Sequence, residues 1–305
     1  MSEAGARTPL PSRILRNPWL LLIFSALVWG GNVVAARWAV GEVSPLVLVG
    51  LRWITVCTLI TIFLRGRLRE TLETLKPHWA WLLPMGVIGF TISNALLYEG
   101  ARFTSGVNVA IIQGVLPVLV LAGARIVYGA RAGVVRMTGV AVTMAGIVLI
   151  ATEGEPARIL DLQFNKGDIL AFVSAALYAG FTLALRKRPP LSAMAFFIGL
   201  AFAALVSSVP AMAVEAMLGA AIWPGWQGGV VLLYVAVFTS IIGQICWIRA
   251  VEIIGPSRAG VFQNLVPVFG AILSVVVLRE TFHWHHAASL ALVLTGLFIS
   301  ELGKR

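Results

Sequence analysis

Gln113 and Gln263 stand 150 residues apart, and each lies four positions ahead of a proline, Pro117 and Pro267, within an otherwise apolar run. Proline has no amide hydrogen, so each one leaves the backbone carbonyl of the preceding glutamine without its usual helical donor. The freed acceptor belongs to a residue that also carries a side-chain amide. Each motif thus concentrates polar capacity at one level of an apolar helix, where an unpaired polar group costs several kcal/mol. A cavity or a polar neighbour must take it up. Asn264 adds a further amide beside Gln263, whereas its counterpart in the first run is Gly114. The chemistry offered is binding of a small polar ligand; the plainer role is packing between kinked helices.

Other residues extend this set. Arg52 is the charge placed deepest in an apolar run. Such an arginine costs at least about 2.5 kcal/mol unless its surroundings are wet or paired. It either bonds structurally to carbonyls or attracts a substrate carboxylate. Asn94 and Gln244 repeat at the same 150-residue offset, as do Tyr98 and Ile248. Amides at such places are either interhelical glue, worth about 0.6 kcal/mol on average, or a polar wall. Trp29 and Tyr178, with Trp53 and Trp247, offer flat faces for an apolar body, and Asn32 stands three residues beyond Trp29. Trp79, Trp81, Trp223, Trp226 and Trp284 lie near run ends and read as interfacial anchors.

Catalytic chemistry is not indicated. No nucleophile stands with a base, and no glycine-rich phosphate loop points to ATP. The cluster His283-Trp284-His285-His286 reads as a solvated helix end rather than a metal site. Cys57 and Cys246 form neither a disulfide framework nor a metal spacing. We expect no cofactor and no metal. Glu99, Asp168, Glu252 and Glu280 sit near run ends, so no deep carboxylate marks proton coupling.

The elements holding these residues are membrane helices. The chain is 59% hydrophobic and 12% charged over 305 residues, against about 25% charge in a soluble domain, and its mean hydropathy is +0.92. Crossing about 30 Å of hydrocarbon takes roughly 20 apolar residues. Ten runs qualify: 17–37, 45–64, 79–98, 106–127, 133–152, 167–185, 191–214, 228–248, 257–278 and 283–302. They are continuous rather than alternating, so the fold class is all-α rather than a barrel. The first run is read as an uncleaved helix, not a signal peptide.

The offset extends along the chain. Gly146 answers Gly296, and at an offset of 149 VLVGLRW (47–53) answers FFIGLAF (196–202) and LVWGGN (27–32) answers ALYAGF (176–181). The expected organisation is a segment 1–16, a five-helix repeat 17–152, a linker 153–166, a second repeat 167–302 and a tail 303–305. An odd number of spans per copy inverts the second relative to the first, around a central cavity, an architecture suited to alternating access. With both termini cytoplasmic, 17 of the 23 Lys and Arg fall inside and five outside, as the positive-inside rule requires. The excess of basic residues is therefore a topology signal, and no nucleic-acid partner is expected. The expected partners are a lipid bilayer and a small-molecule substrate, with the protein acting as a monomer.

WGGN (29–32), GLRW (50–53), the Pro117 and Pro267 helices, ARFTSGVNVAII (101–112), AVEIIGPSRAGVFQ (250–263) and RETF (279–282) together resemble the drug/metabolite transporter superfamily, in particular its EamA-type ten-helix members. Within it the chain is most similar to bacterial inner-membrane exporters of amino acids, including aromatic ones. The resemblance implies export of amino acids or similar small metabolites; drugs or nucleotide-linked metabolites are the other substrates of the superfamily. One departure stands out: where Arg279-Glu280 closes the ninth span, the first repeat reads Gly129-Ala130.

Overall fold

In a computed structural model of the chain, the described residues are 17–66, 68–129, 133–155, 165–255, 259 and 261–302. The segments 1–16 and 303–305, and most of the linker, lie outside them. Among the described residues there are ten helical rods and no strand. They are α1 (Pro18–Trp38), α2 (Pro45–Phe63), α3 (Leu68–Gly100), α4 (Gly106–Tyr128), α5 (Val134–Ala151), α6 (Lys166–Lys187), α7 (Ala193–Met217), α8 (Trp226–Ile254), α9 (Leu265–Leu278) and α10 (Trp284–Leu302). Seven of them, α1 to α4 and α6 to α8, are long and apolar enough to cross a membrane; the others are shorter apolar helices.

Local chemistry sets the starts. Asn17 Oδ1 accepts from the amides of Trp19 and Leu20 at 3.0 and 3.3 Å, with Pro18 at the first helical position. Ser105, Asn165 and Ser192 cap α4, α6 and α7 in the same manner. A side-chain oxygen at the cap satisfies amides that have no partner within the helix, and proline at the start loses nothing by lacking one.

Two rods begin or break where the sequence places proline. Helix α4 runs to Gln113, passes through a tight turn at Gly114 and Val115, and resumes at Leu116 with Pro117 in its first turn. Helix α9 is entered through a 3₁₀ turn, Val261–Asn264, ahead of Pro267. Two further irregularities were not foreseen: α3 and α8 widen into π-helical turns at Val87–Ile92 and Tyr234–Ile242. The segment before the third apolar run is itself helical at Leu68–Leu75. The histidines are corrected too. His285 and His286 are buried rather than solvated, because the start of α10 folds against the turn after α5, where Gly154 lies against Trp284 and His285. His286 Nδ1 accepts from the His283 amide at 3.0 Å, capping the helix start.

Packing pairs α5 with α10, α2 with α7, α1 with α8 and α9, and α6 with α3 and α4. Exchanging the first five rods for the last five leaves these pairs unchanged. Helices α5 and α10 run antiparallel, since Gly139 meets Gly296 and Ser300 while Gly146 meets Ser289 and Leu292. Helix α1 is packed tightly against α9: a Cβ on Gly30 would come within 2.8 Å of the Gly270 nitrogen. Gly31 leaves room for Tyr234, whose hydroxyl donates to the Val28 carbonyl at 3.0 Å. The two glycines of WGGN thus admit a backbone on one side and a phenol on the other, the close approach that small residues permit between membrane helices.

Candidate functional site

The rods enclose a cavity of about 200 Å³ whose wall is drawn from both halves of the chain. Of the residues singled out from sequence, Trp29, Asn32, Arg52, Asn94, Gln113, Pro117, Tyr178, Gln244, Gln263, Asn264 and Pro267 line it. Tyr98 does not. It is buried behind the wall, where its hydroxyl accepts from Arg52 Nη1 at 2.7 Å and donates to Asn32 Oδ1 at 3.1 Å. Its ring is therefore committed to positioning Arg52 and Asn32 rather than to contacting a ligand.

Trp53, named for its flat face, lines the cavity too, and the wall also includes residues outside that set, notably Phe90, Ser93, Ser174, Thr239 and Ser240. Three of them stand one helical turn before a residue that was named: Phe90 before Asn94, Ser174 before Tyr178 and Ser240 before Gln244. Residues four apart share a helix face, so this spacing was the signal that could have found them.

The π-helical turns explain how polar groups reach this depth. A wide turn misaligns backbone carbonyls from their helical donors, and here side chains from neighbouring helices bind them. Trp53 Nε1 donates to the Phe90 carbonyl at 3.3 Å, and Trp29 Nε1 donates to the Thr239 carbonyl at 3.2 Å. One tryptophan from each of α1 and α2 is thus pinned to one π turn in each half. Trp53 stacks on Phe90 with ring centroids 5.1 Å apart, and Trp29 tilts against Trp247 at 5.3 Å. Trp247 itself stays outside the wall.

The amides divide into two kinds. Gln113 Nε2 reaches the Ala171 carbonyl at 3.3 Å, and Asn94 is held between the Phe90 carbonyl and Arg52. The side chains of Gln244, Gln263 and Asn264 line the cavity and make no hydrogen bond to another described residue. Polar groups left open to a cavity at this depth fit a ligand or water as their partner. Cys57 and Cys246 are free thiols, Cys57 buried in the core cluster.

The wall is not centred between the two ends of the bundle. At one end it stops at Leu97 and Ala110, beyond which Ala101, Thr104, Val107 and Asn108 are buried. At the other it reaches Gln263, in the turn that leads into α9.

Comparison with known proteins places this site in a family. The profile of the EamA-like transporter family matches residues 17–152 and 165–302, nearly the whole chain in two copies. The chain is 27% identical over 273 residues to "Uncharacterized transporter YyaM" of Bacillus subtilis, with 86% of each chain covered. It is 25% identical over 299 residues to "Uncharacterized inner membrane transporter YedA" of Escherichia coli K12, covering 95% and 94%. A solved structure superposes with a TM-score of 0.64 at 19% identity, covering 93% of this chain and 97% of that one, a likeness of fold.

Proposed function

Since the chain belongs to the EamA-like transporter family, and is thus a multi-pass membrane transporter and not an enzyme, we propose that it exports small metabolites, amino acids of the aromatic or other neutral kind, by alternating access. The protein sits in a bacterial inner membrane with both termini cytoplasmic. Two five-helix repeats of inverted topology share the central cavity and exchange roles as it opens to one face and then the other. Transport runs down the substrate gradient, since the cavity wall carries no carboxylate among the described residues.

One observation carries the reading: both halves contribute to one cavity whose wall mixes flat aromatic faces with side-chain amides that have no partner among the described residues. A small molecule with an apolar body and a polar head suits such a wall. The inverted repeat is supported by the antiparallel contact of α5 with α10, which occupy equivalent places in the two halves. It is supported again by the matched π turns and matched proline breaks. The orientation rests on the distribution of basic residues.

The test is reconstitution in liposomes loaded with labelled amino acids, aromatic and small aliphatic side by side. Efflux of a subset, lost in the Gln263→Leu protein at equal membrane level, is the expected result. No movement of any amino acid would remove the amino-acid assignment, and an unchanged rate in Gln263→Leu would return that residue to packing.

A further inference from the structure

Arg52 is 6% exposed and lines the cavity. Its Nε donates to Ser240 Oγ at 2.7 Å, and its Nη1 donates to Asn94 Oδ1 at 3.0 Å and to the Tyr98 hydroxyl at 2.7 Å. Those three bonds use every hydrogen on Nε and Nη1. Each acceptor is fixed in turn by a bond of its own. Ser240 Oγ donates to the Val235 carbonyl at 2.7 Å, Asn94 Nδ2 to the Phe90 carbonyl at 2.9 Å, and the Tyr98 hydroxyl to Asn32 Oδ1 at 3.1 Å. The guanidinium also lies 5.4 Å from the centre of the Trp53 ring. Its orientation is therefore built from α1, α2, α3 and α8 together.

What the arrangement leaves over is one nitrogen and one charge. Nη2 makes no hydrogen bond to a described residue, and all three partners of the guanidinium are neutral. No described Asp or Glu belongs to the cavity wall, and the ion pairs among the described residues involve Arg37, Arg102 and Arg249 but not Arg52. A buried cation without a counter-ion is costly in a membrane protein unless a ligand or water completes it. A structural arginine would be expected to spend its remaining donors on backbone carbonyls, and this one does not.

We propose that Arg52 is the anion receptor of the cavity and that the substrate class is a small monocarboxylate on a flat apolar body, recognised by its carboxylate, with no ammonium group required. The carboxylate binds at Nη2 by a charge-assisted hydrogen bond. The body lies among Trp29, Trp53, Phe90 and Tyr178. Amino acids are accepted through their carboxylate, and 2-oxo, 2-hydroxy or unsubstituted acids of the same shape compete with them. The amides of Gln244, Gln263 and Asn264 serve the substituent at C2, charged or not. This rests on the reading of the cavity as the transported-substrate site.

Four probes sharing a phenyl ring separate the possibilities: 3-phenylpropionate, L-phenylalanine, 3-phenylpropionamide and phenethylamine. Binding is titrated calorimetrically to the purified protein in lipid nanodiscs. We expect 3-phenylpropionate to bind at least as tightly as phenylalanine and about tenfold or more tighter than the amide and the amine. Arg52→Gln should weaken both carboxylates about tenfold and leave the amide unchanged, while Arg52→Lys keeps a reduced preference for carboxylates. Equal binding of the amide or amine by the wild-type protein overturns the proposal, as does an Arg52→Gln protein that weakens all four probes alike. If Arg52→Gln does not fold, the wild-type order and the Arg52→Lys protein decide. Binding of phenylalanine without 3-phenylpropionate sinks the proposal and keeps the amino-acid function; the reverse keeps Arg52 as the carboxylate receptor, overturns the acceptance of amino acids and sinks that function. Binding of none of the four sinks both.

Discussion

The two ends of the bundle differ in where their carboxylates go. At the end where α4 begins, Glu280 accepts from the Gly106 and Val107 amides at 2.8 and 3.0 Å, and Arg37 lies 3.9 Å from it. Glu215 accepts from the Val47 amide at 2.9 Å and from Ser44 Oγ at 2.7 Å, at the start of α2. Asp168 accepts from Thr104 Oγ1 at 2.6 Å, which ties the start of α6 to that of α4. Negative groups on helix N-termini are stabilising, and here Glu280 comes from the turn after α9 and Glu215 from α7, so both caps are also bolts. At the opposite end, α7 is capped by its own Ser192 and α9 is entered through half-buried residues without such a carboxylate among those described. Among the described residues, the carboxylate bolts between helices thus gather at one end of the bundle. The cavity wall extends toward the other end.

Removing the strongest bolt should have the largest effect. Glu280→Ala leaves two buried amides without an acceptor and should cost about 2 kcal/mol, read as a lower melting temperature of the purified protein; Glu280→Gln, which keeps one acceptor, should lose about half as much. An unchanged melting temperature in Glu280→Ala would mean that the cap does not fasten this end. The glutamines test the same contrast inside the cavity. Gln263→Leu should lower transport about tenfold with little change in stability, because its amide is open to the cavity. Gln113→Leu should instead cost about 1 kcal/mol of stability, since its amide is bonded to Ala171. Equal effects in both assays would dissolve the distinction. The smallest effect is expected at Arg279, which holds φ at 55° where its counterpart Gly129 has 62°. A left-handed backbone at a residue with a Cβ costs roughly 1 kcal/mol, so Arg279→Gly should raise stability by about that amount.

Much of this was legible in the sequence, for physical reasons that differ by element. The apolar runs located the rods, most of them to within a few residues, because length and hydropathy decide what can cross a bilayer; α3 begins 11 residues before its run and α9 is regular only from eight residues into its own. Pro117 and Pro267 located the breaks, since a missing amide hydrogen acts locally. The site residues were found through the amides and the arginine, whose burial is costly enough to demand a partner. The π turns at Val87–Ile92 and Tyr234–Ile242 were hidden, because they contain no proline and the tryptophans of α1 and α2 that bind their carbonyls come from distant positions in the chain. Tyr98 was expected in the cavity as an aromatic matched to Ile248 at the 150-residue offset; only the positions of Arg52 and Asn32 show that its hydroxyl is already taken. Likewise, the helix between the second and third apolar runs carries too many charges to be read from hydropathy, and the burial of His285 and His286 depends on a turn after α5.

The proposed alternation of the cavity about its fastened end can be read from a cysteine in place of Asn264, in a protein whose Cys57 and Cys246 have been replaced by serine, probed with a membrane-impermeant thiol reagent in sealed vesicles of each orientation. Labelling is expected from the cytoplasmic face alone in the resting protein, and from the opposite face as well once Glu280→Ala is added. Labelling of the resting protein from the opposite face only, or a pattern indifferent to Glu280, would contradict it.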